Sequence, residues 1–252
     1  MIRFRMTSLL FAGLMAMVIH VSSAAGIDTL TAGHADLQIG WDPLNPGSLD
    51  LGYELGANAV INGSVIGAAT AAAASDISVI IPSSSSVSGG LSGAPGVFGT
   101  STFWYLPQTS RPGVPFFGLG AEEVPNGTMV GNTMKFQFLN FVERPIGGEF
   151  IIYQSNTTPD VFIDTQNPGV LSQFINVTAL GHEHFNWGFS KQGTYKINFG
   201  ASATLASNSN GITGSDVFTF VVVPEPGTWA LGAVACLVFF GTASHRRKQK
   251  IS

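Results

Sequence analysis

The stretch Gly181-His182-Glu183-His184-Phe185-Asn186-Trp187-Gly188-Phe189-Ser190-Lys191-Gln192-Gly193-Thr194-Tyr195-Lys196-Ile197-Asn198-Phe199 decides how this chain is read. Side chains of an extended backbone alternate between two faces, so His182 and His184 point to one side while Phe185, Trp187 and Phe189 point to the other. A Lys-Gln-Gly turn follows, and Thr194 to Phe199 alternates again. The expectation is a β-hairpin with a metal site at one edge.

Working outward, the same strand signals recur along the chain. Thr29 to Ile39, Leu49 to Leu55, Ile77 to Ile81, Met134 to Val142, Glu149 to Gln154, Val161 to Ile163 and Asp216 to Val223 all read as strands, with Gly, Pro and Asn turns between them. Val97 to Gln108 and Pro112 to Gly120 add aromatic, proline-bounded segments. The Ala-rich run inside Ala57 to Ser75 reads as a loop or one or two helical turns, and the Ser-Gly stretch Ser83 to Gly96 as a flexible insertion. No helical period is sustained anywhere. Many short strands at regular spacing predict an all-β chain, an antiparallel β-sandwich of jelly-roll or immunoglobulin-like type.

Both ends are distinct from this body. Arg3 and Arg5, an apolar run from Leu9 to Val18 and small residues up to Ala25 make residues 1–25 a secretory signal peptide, expected as a helix. At the other end Val223-Pro224-Glu225-Pro226-Gly227 precedes an apolar run from Thr228 to Thr242 and the basic cluster Arg246-Arg247-Lys248-Gln249-Lys250. A basic cluster beyond an apolar helix stays cytoplasmic, which leaves the preceding domain outside the membrane. This tail resembles a PEP-CTERM sorting signal. The resemblance implies an exosortase as partner and at least transient membrane anchoring through residues 224–250, with an exported ectodomain of residues 27–223 at the periplasm, outer surface or extracellular matrix.

Charge and cysteine content exclude several function classes. Between Ile27 and Pro224 five basic residues (Arg111, Lys135, Arg144, Lys191, Lys196) stand against fourteen acidic ones, a net of −9. Nucleic acid is therefore not an expected partner, because phosphate neutralisation needs clustered Lys and Arg. The single cysteine, Cys236, lies in the apolar tail, so the ectodomain has no disulfide and no thiolate site. Neither a nucleophile elbow nor a phosphate-cradling loop is present. The expectation is a protein that is not an enzyme. Trp104, Tyr105 and Trp187 form a candidate sugar platform, although aromatic residues in strands more often pack a core.

The histidines carry the chemistry. The ectodomain has three, His34, His182 and His184. Three neutral imidazoles with one carboxylate or water complete a tetrahedral zinc shell. Asp36, Glu183 and Asp164 are the candidate fourth ligands. Asp36 fits best, being two residues from His34 on the same strand face, whereas Glu183 should face away from its neighbours. The bland reading makes the histidines packing residues of a structural or adhesive surface or matrix protein.

Four stretches, Ala32-Gly33-His34-Ala35-Asp36-Leu37, Phe103-Trp104-Tyr105-Leu106-Pro107-Gln108, Pro115-Phe116-Phe117-Gly118-Leu119-Gly120 and His182 to Phe189 with Gly193-Thr194-Tyr195, together resemble the choice-of-anchor M domain. The resemblance covers about Leu30 to Val223. It implies a surface domain linked to zinc or manganese ABC transport, with a PEP-CTERM branch made when zinc is scarce, and it points to His34, His182 and His184 as metal positions. A zinc or manganese ABC transporter is the partner this implies, and zinc, manganese or another divalent ion the cofactor.

Overall fold

The computed structural model describes residues 27–169 and 173–223. The expected signal helix and C-terminal hydrophobic helix lie outside the described residues. Among the described residues, no helix is long and apolar enough to cross a membrane.

Seventeen strands follow one another: β1 (Asp28–Gly40), β2 (Asp50–Leu55), β3 (Val60–Ile61), β4 (Ser64–Val65), β5 (Thr70–Ala73), β6 (Ile77–Ile81), β7 (Ser86–Val87), β8 (Phe103–Leu106) and β9 (Pro115–Gly120), then β10 (Thr133–Glu143), β11 (Phe150–Gln154), β12 (Asp160–Asp164), β13 (Phe174–Thr178), β14 (His182–His184), β15 (Asn186–Phe189), β16 (Gly193–Thr204) and β17 (Gly211–Val222). Twelve of them form a large sheet ordered β13-β10-β16-β17-β6-β1-β2-β5, with β9 branching from β1 and carrying β14, and with β3 and β4 beside the start of β1. The other five form a small antiparallel sheet, β12-β11-β15-β8-β7. The chain is all-β as expected. The pairing is a correction: the large sheet is mixed, because β1 runs parallel to both β6 and β9, and β6 parallel to β17.

One apolar core lies between the sheets. Leu37, Phe117, Phe199, Phe218 and Phe220 of the large sheet meet Leu106, Phe150, Ile152, Trp187 and Phe189 of the small one, all buried. Alternation explains the choice: these positions lie on one face of their strands, and their neighbours face outward. Trp187 sits at the centre, with the rings of Phe117, Phe136, Phe150, Phe199 and Phe220 within 6.2 Å. Its burial removes it from any sugar platform.

The predicted hairpin does not form. β14 pairs with β9 in the large sheet, β15 pairs with β11 and β8 in the small sheet, and β16 returns to the large sheet between β10 and β17. Both edges of β15 are already occupied, so β16 has no edge there to pair with. Ser190 to Gln192 instead carries the chain across the core, and Phe189 and Tyr195 meet edge-to-face with ring centroids 5.0 Å apart.

Two low-complexity stretches are also ordered. Thr70–Ala73 of the Ala-rich run is a strand on β2, followed by a short 3-10 turn at Ala74–Asp76. The Ser-Gly stretch contributes β7, and its Leu91 and Ala94 cover a second apolar cluster of Phe98, Phe103, Ile151 and Tyr153. Apolar side chains spaced among the glycines thus hold this segment on the small sheet.

β1 is the strand that positions the site. Its first part pairs with β3 and β6, and from Gly33 onward it pairs with β2 and β9. At the changeover the register slips between Leu30 and Ala32. Gly33 adopts φ +85°, and a Cβ there would overlap the Asn58 carbonyl. Only glycine fits this left-handed, crowded position, and His34 follows directly from it.

Candidate metal centre

Three adjacent strands bring the histidines together. Parallel pairing of β1 and β9 sets His34 beside Phe116, Asp36 beside Gly118 and Gln38 beside Gly120. Antiparallel pairing of β9 and β14 sets Gly118 beside His184 and Gly120 beside His182. One cross-strand row therefore reads Asp36, Gly118, His184, and the next reads Gln38, Gly120, His182. All six lie on the face opposite the buried Leu37, Phe117 and Leu119.

The glycines of β9 make this convergence sterically allowed. A Cβ at Gly118 would overlap Asp36 Oδ1 and stand 2.8 Å from His184 Cδ2. A Cβ at Gly120 would crowd the Gln38 side chain. Side chains from β1 and β14 thus lean over a floor that has none of its own.

His34 Nε2 lies 3.1 Å from His184 Nε2 and 3.2 Å from Asp36 Oδ1, and the Asp36 to His184 separation is 3.8 Å. Four donors around an ion at zinc-like bond lengths would be about 3.3 Å apart, so the two His34 edges already match and the Asp36–His184 edge, at 3.8 Å, is somewhat long. With His182 added, one ligand atom from each of the four residues lies within 4.8 Å of all the others. The group His34, Asp36, His182 and His184 could hold a metal ion.

Burial grades the four side chains. Asp36 is 2% exposed, His34 24%, His184 26% and His182 38%, so the carboxylate is the floor of the group and His182 its open rim. Asp36 Oδ1 is buried and has no hydrogen-bond donor in aligned geometry; the His34 approach is an ion-pair contact. An unpartnered buried carboxylate oxygen is costly unless a cation meets it. This buried oxygen, aimed between two imidazoles and without an aligned hydrogen-bond donor, is the observation that a metal fits best.

The charges around the group act on the imidazoles in opposite directions. The Asp36 carboxylate, helped by Glu122 and Glu54 farther off, holds His34 above the usual histidine value against its partial burial. Desolvation pushes His184 below that value, opposed by the Gln108 carbonyl that its Nδ1 contacts. Glu54, paired with Asp36 across β1 and β2, is raised by desolvation and then by the neighbouring Glu123, Glu122 and Asp36 charges.

The structure brings some of the sequence-predicted residues together and leaves others apart. His34, His182, His184 and Asp36 meet as expected. Asp164 does not join them: its carboxylate accepts from Gln166 N at 3.0 Å and Asn167 Nδ2 at 2.7 Å in the turn after β12. Glu183 faces away and takes a hydrogen bond from Gln154 Nε2 at 2.7 Å. Missed were Gly118 and Gly120, whose alternate spacing in Phe117-Gly118-Leu119-Gly120 was visible as a strand with one bare face. Also missed were Glu122, 3.1 Å from His182 Nδ1, and Gln108, whose carbonyl lies 3.0 Å from His184 Nδ1. No sequence signal links those two to the histidines.

Fold and side chains together define a class, a two-sheet all-β domain with a three-histidine, one-carboxylate cluster on the outer face of its larger sheet. Comparison with protein families, with curated proteins and with solved structures returns no match.

Proposed function

We propose that this is an exported, envelope-associated protein of β-sandwich type. It binds a divalent metal ion, zinc foremost, through His34, Asp36, His182 and His184, and supports metal acquisition or storage. The observation that carries the reading is the buried Asp36 Oδ1, which has no aligned hydrogen-bond donor and is set 3.2 Å and 3.8 Å from two imidazole nitrogens. Nothing in this reading requires catalysis, and the chain acts as a binding protein. The resemblance of residues 30–223 to the choice-of-anchor M domain supports hand-over to a zinc or manganese ABC transport system. The tail's resemblance to PEP-CTERM signals supports sorting by an exosortase, with the apolar segment as membrane anchor.

Calorimetry on the full chain in mild detergent tests the binding. Zinc should bind one ion per chain with submicromolar affinity, and His182→Ala combined with His184→Ala should abolish it. Weak binding that the double variant leaves unchanged would return the chain to the structural or adhesive reading.

A further inference from the structure

Two imidazoles of the cluster are gripped from behind. His182 Nδ1 lies 3.1 Å from Glu122 Oε1, and His184 Nδ1 lies 3.0 Å from the Gln108 carbonyl oxygen. A carbonyl and a carboxylate oxygen both accept and do not donate, so each contact requires the proton to sit on Nδ1. The Nε2 lone pair is then the one free to meet a cation.

Both acceptors are themselves held. Ala121 N donates to Gly181 O at 2.9 Å and Leu180 N to Ala121 O at 3.0 Å, so the chain leaving β9 stays zipped to the chain entering β14. That zipper sets Glu122 across from His182. Buried Gln38, with its amide turned to satisfy both neighbours, donates to Gly120 O at 3.3 Å and accepts from Glu122 N at 3.1 Å. On the other side, Gln108 N donates to Asn186 Oδ1 at 3.0 Å, and Gln108 Oε1 accepts from Asn186 Nδ2 at 2.7 Å and Ser155 N at 2.8 Å. Asn186 is 3% exposed and two residues from His184, so the Gln108 carbonyl is clamped beside the ring it orients.

We propose that Glu122 and the Gln108 carbonyl are positioning groups that lock His182 and His184 in the Nδ1–H tautomer, presenting both Nε2 atoms to an imidazole-preferring transition-metal dication in preference to magnesium or calcium. The inference rests on the metal reading above and assigns that site its supporting residues and its ion class. Carboxylate or carbonyl partners behind metal-bound histidines raise ligand basicity and fix ring orientation. Hard ions, by contrast, seek oxygen ligands, of which the group offers one carboxylate. His34 is placed differently, by its backbone N–H donating to Asn58 Oδ1 at 3.0 Å and by its ring stacking on Phe116 with centroids 4.8 Å apart.

The test compares full-length wild type, Glu122→Gln and Glu122→Leu in mild detergent, by long-range proton–nitrogen imidazole spectra without metal and by zinc and cobalt(II) titration. Wild type should show His182 and His184 as Nδ1–H tautomers. Glu122→Gln, whose amide oxygen still accepts, should keep them. Glu122→Leu should release His182 alone, weaken zinc binding roughly 10–100-fold and alter the cobalt(II) absorption bands. A Glu122→Leu protein with the wild-type His182 tautomer and wild-type zinc affinity would overturn the proposal while leaving the metal site standing. Displacement of zinc by millimolar calcium or magnesium would overturn the ion class. Intact tautomers in a wild type that binds no zinc would sink the metal reading, and this inference with it.

Discussion

His34 Nε2 and His184 Nε2 lie 3.1 Å apart although 150 residues separate them along the chain. The contact is made by β9, which inserts between their two strands and places Gly118 where any side chain would hold them apart. The pairings of β1 with β9 and of β9 with β14, both between strands distant in the chain, must be in register for the cluster to exist. A slip of one residue in either would turn the imidazoles to the opposite face.

Gly118→Ala should therefore damage the site while the protein still folds. The added methyl would overlap Asp36 Oδ1 on the outer face and leave the core untouched. Zinc affinity measured by calorimetry should fall at least tenfold, about 1.4 kcal/mol. Overpacking should cost about 1–3 kcal/mol of stability in urea titration. Wild-type zinc affinity in this variant would contradict the described row of Asp36, Gly118 and His184.

Asp36→Asn separates the site from the scaffold in a different way. Zinc at a hundredfold excess over its Kd stabilises a protein that binds it only when folded by about 2.7 kcal/mol. At about 2–4 °C per kcal/mol for a domain of this size, the wild-type melting temperature should rise by about 5–10 °C on adding zinc. The asparagine variant, lacking the anionic ligand, should show almost no rise. At a pH where His34 is uncharged, its metal-free melting temperature should not fall, since the carboxylate it loses then has no cationic partner and no aligned donor. An equal zinc-induced rise in both proteins would remove Asp36 from the ligand set.

Binding should depend on pH through His34 first. Metal requires neutral imidazole, so protons compete with it. His34 is held above 6.5 by Asp36, so its proton begins to compete above that pH; His184 is held below 6.5 by desolvation and competes only in more acid solution. Zinc affinity should rise with pH and level off once pH passes the raised His34 value. Calorimetry near pH 6.5 in buffers of different ionisation enthalpy should show proton release that His34→Gln reduces. In the metal-free protein the signs differ. The raised His34 adds stability that is present below its unfolded value and lost as pH rises through its folded value; the lowered His184 subtracts stability as pH falls through its unfolded value. A pH-independent zinc affinity between pH 6 and 8 would refute this assignment.

Trp187 is the test of the core. Truncation to Ala removes a ring touching five other aromatic residues and should cost about 3–5 kcal/mol. Trp187→Phe should cost distinctly less than truncation, because it also deletes a buried indole N–H that has no acceptor. Chemical denaturation of the two variants checks the order, and equal losses would contradict it.

Local pattern was enough for part of this protein. The two-residue alternation at His34-Ala35-Asp36 and His182-Glu183-His184 set which side chains share a face, because that period belongs to the extended backbone itself. The same alternation identified most strands and hence the all-β class. Strand partnership was not legible in the same way. Which edge a strand finds free depends on every other strand, so β15 and β16 parted company despite the turn between them, and β1 took parallel partners that no short-range signal announces. The meeting of His34 with the late pair, the choice of Asp36 over Asp164, and the grip of Glu122 and Gln108 on the Nδ1 atoms all follow from that pairing. Sequence determined the faces, since geometry along one strand is local; tertiary structure decided the neighbours, since hydrogen-bonding edges are shared by the whole chain.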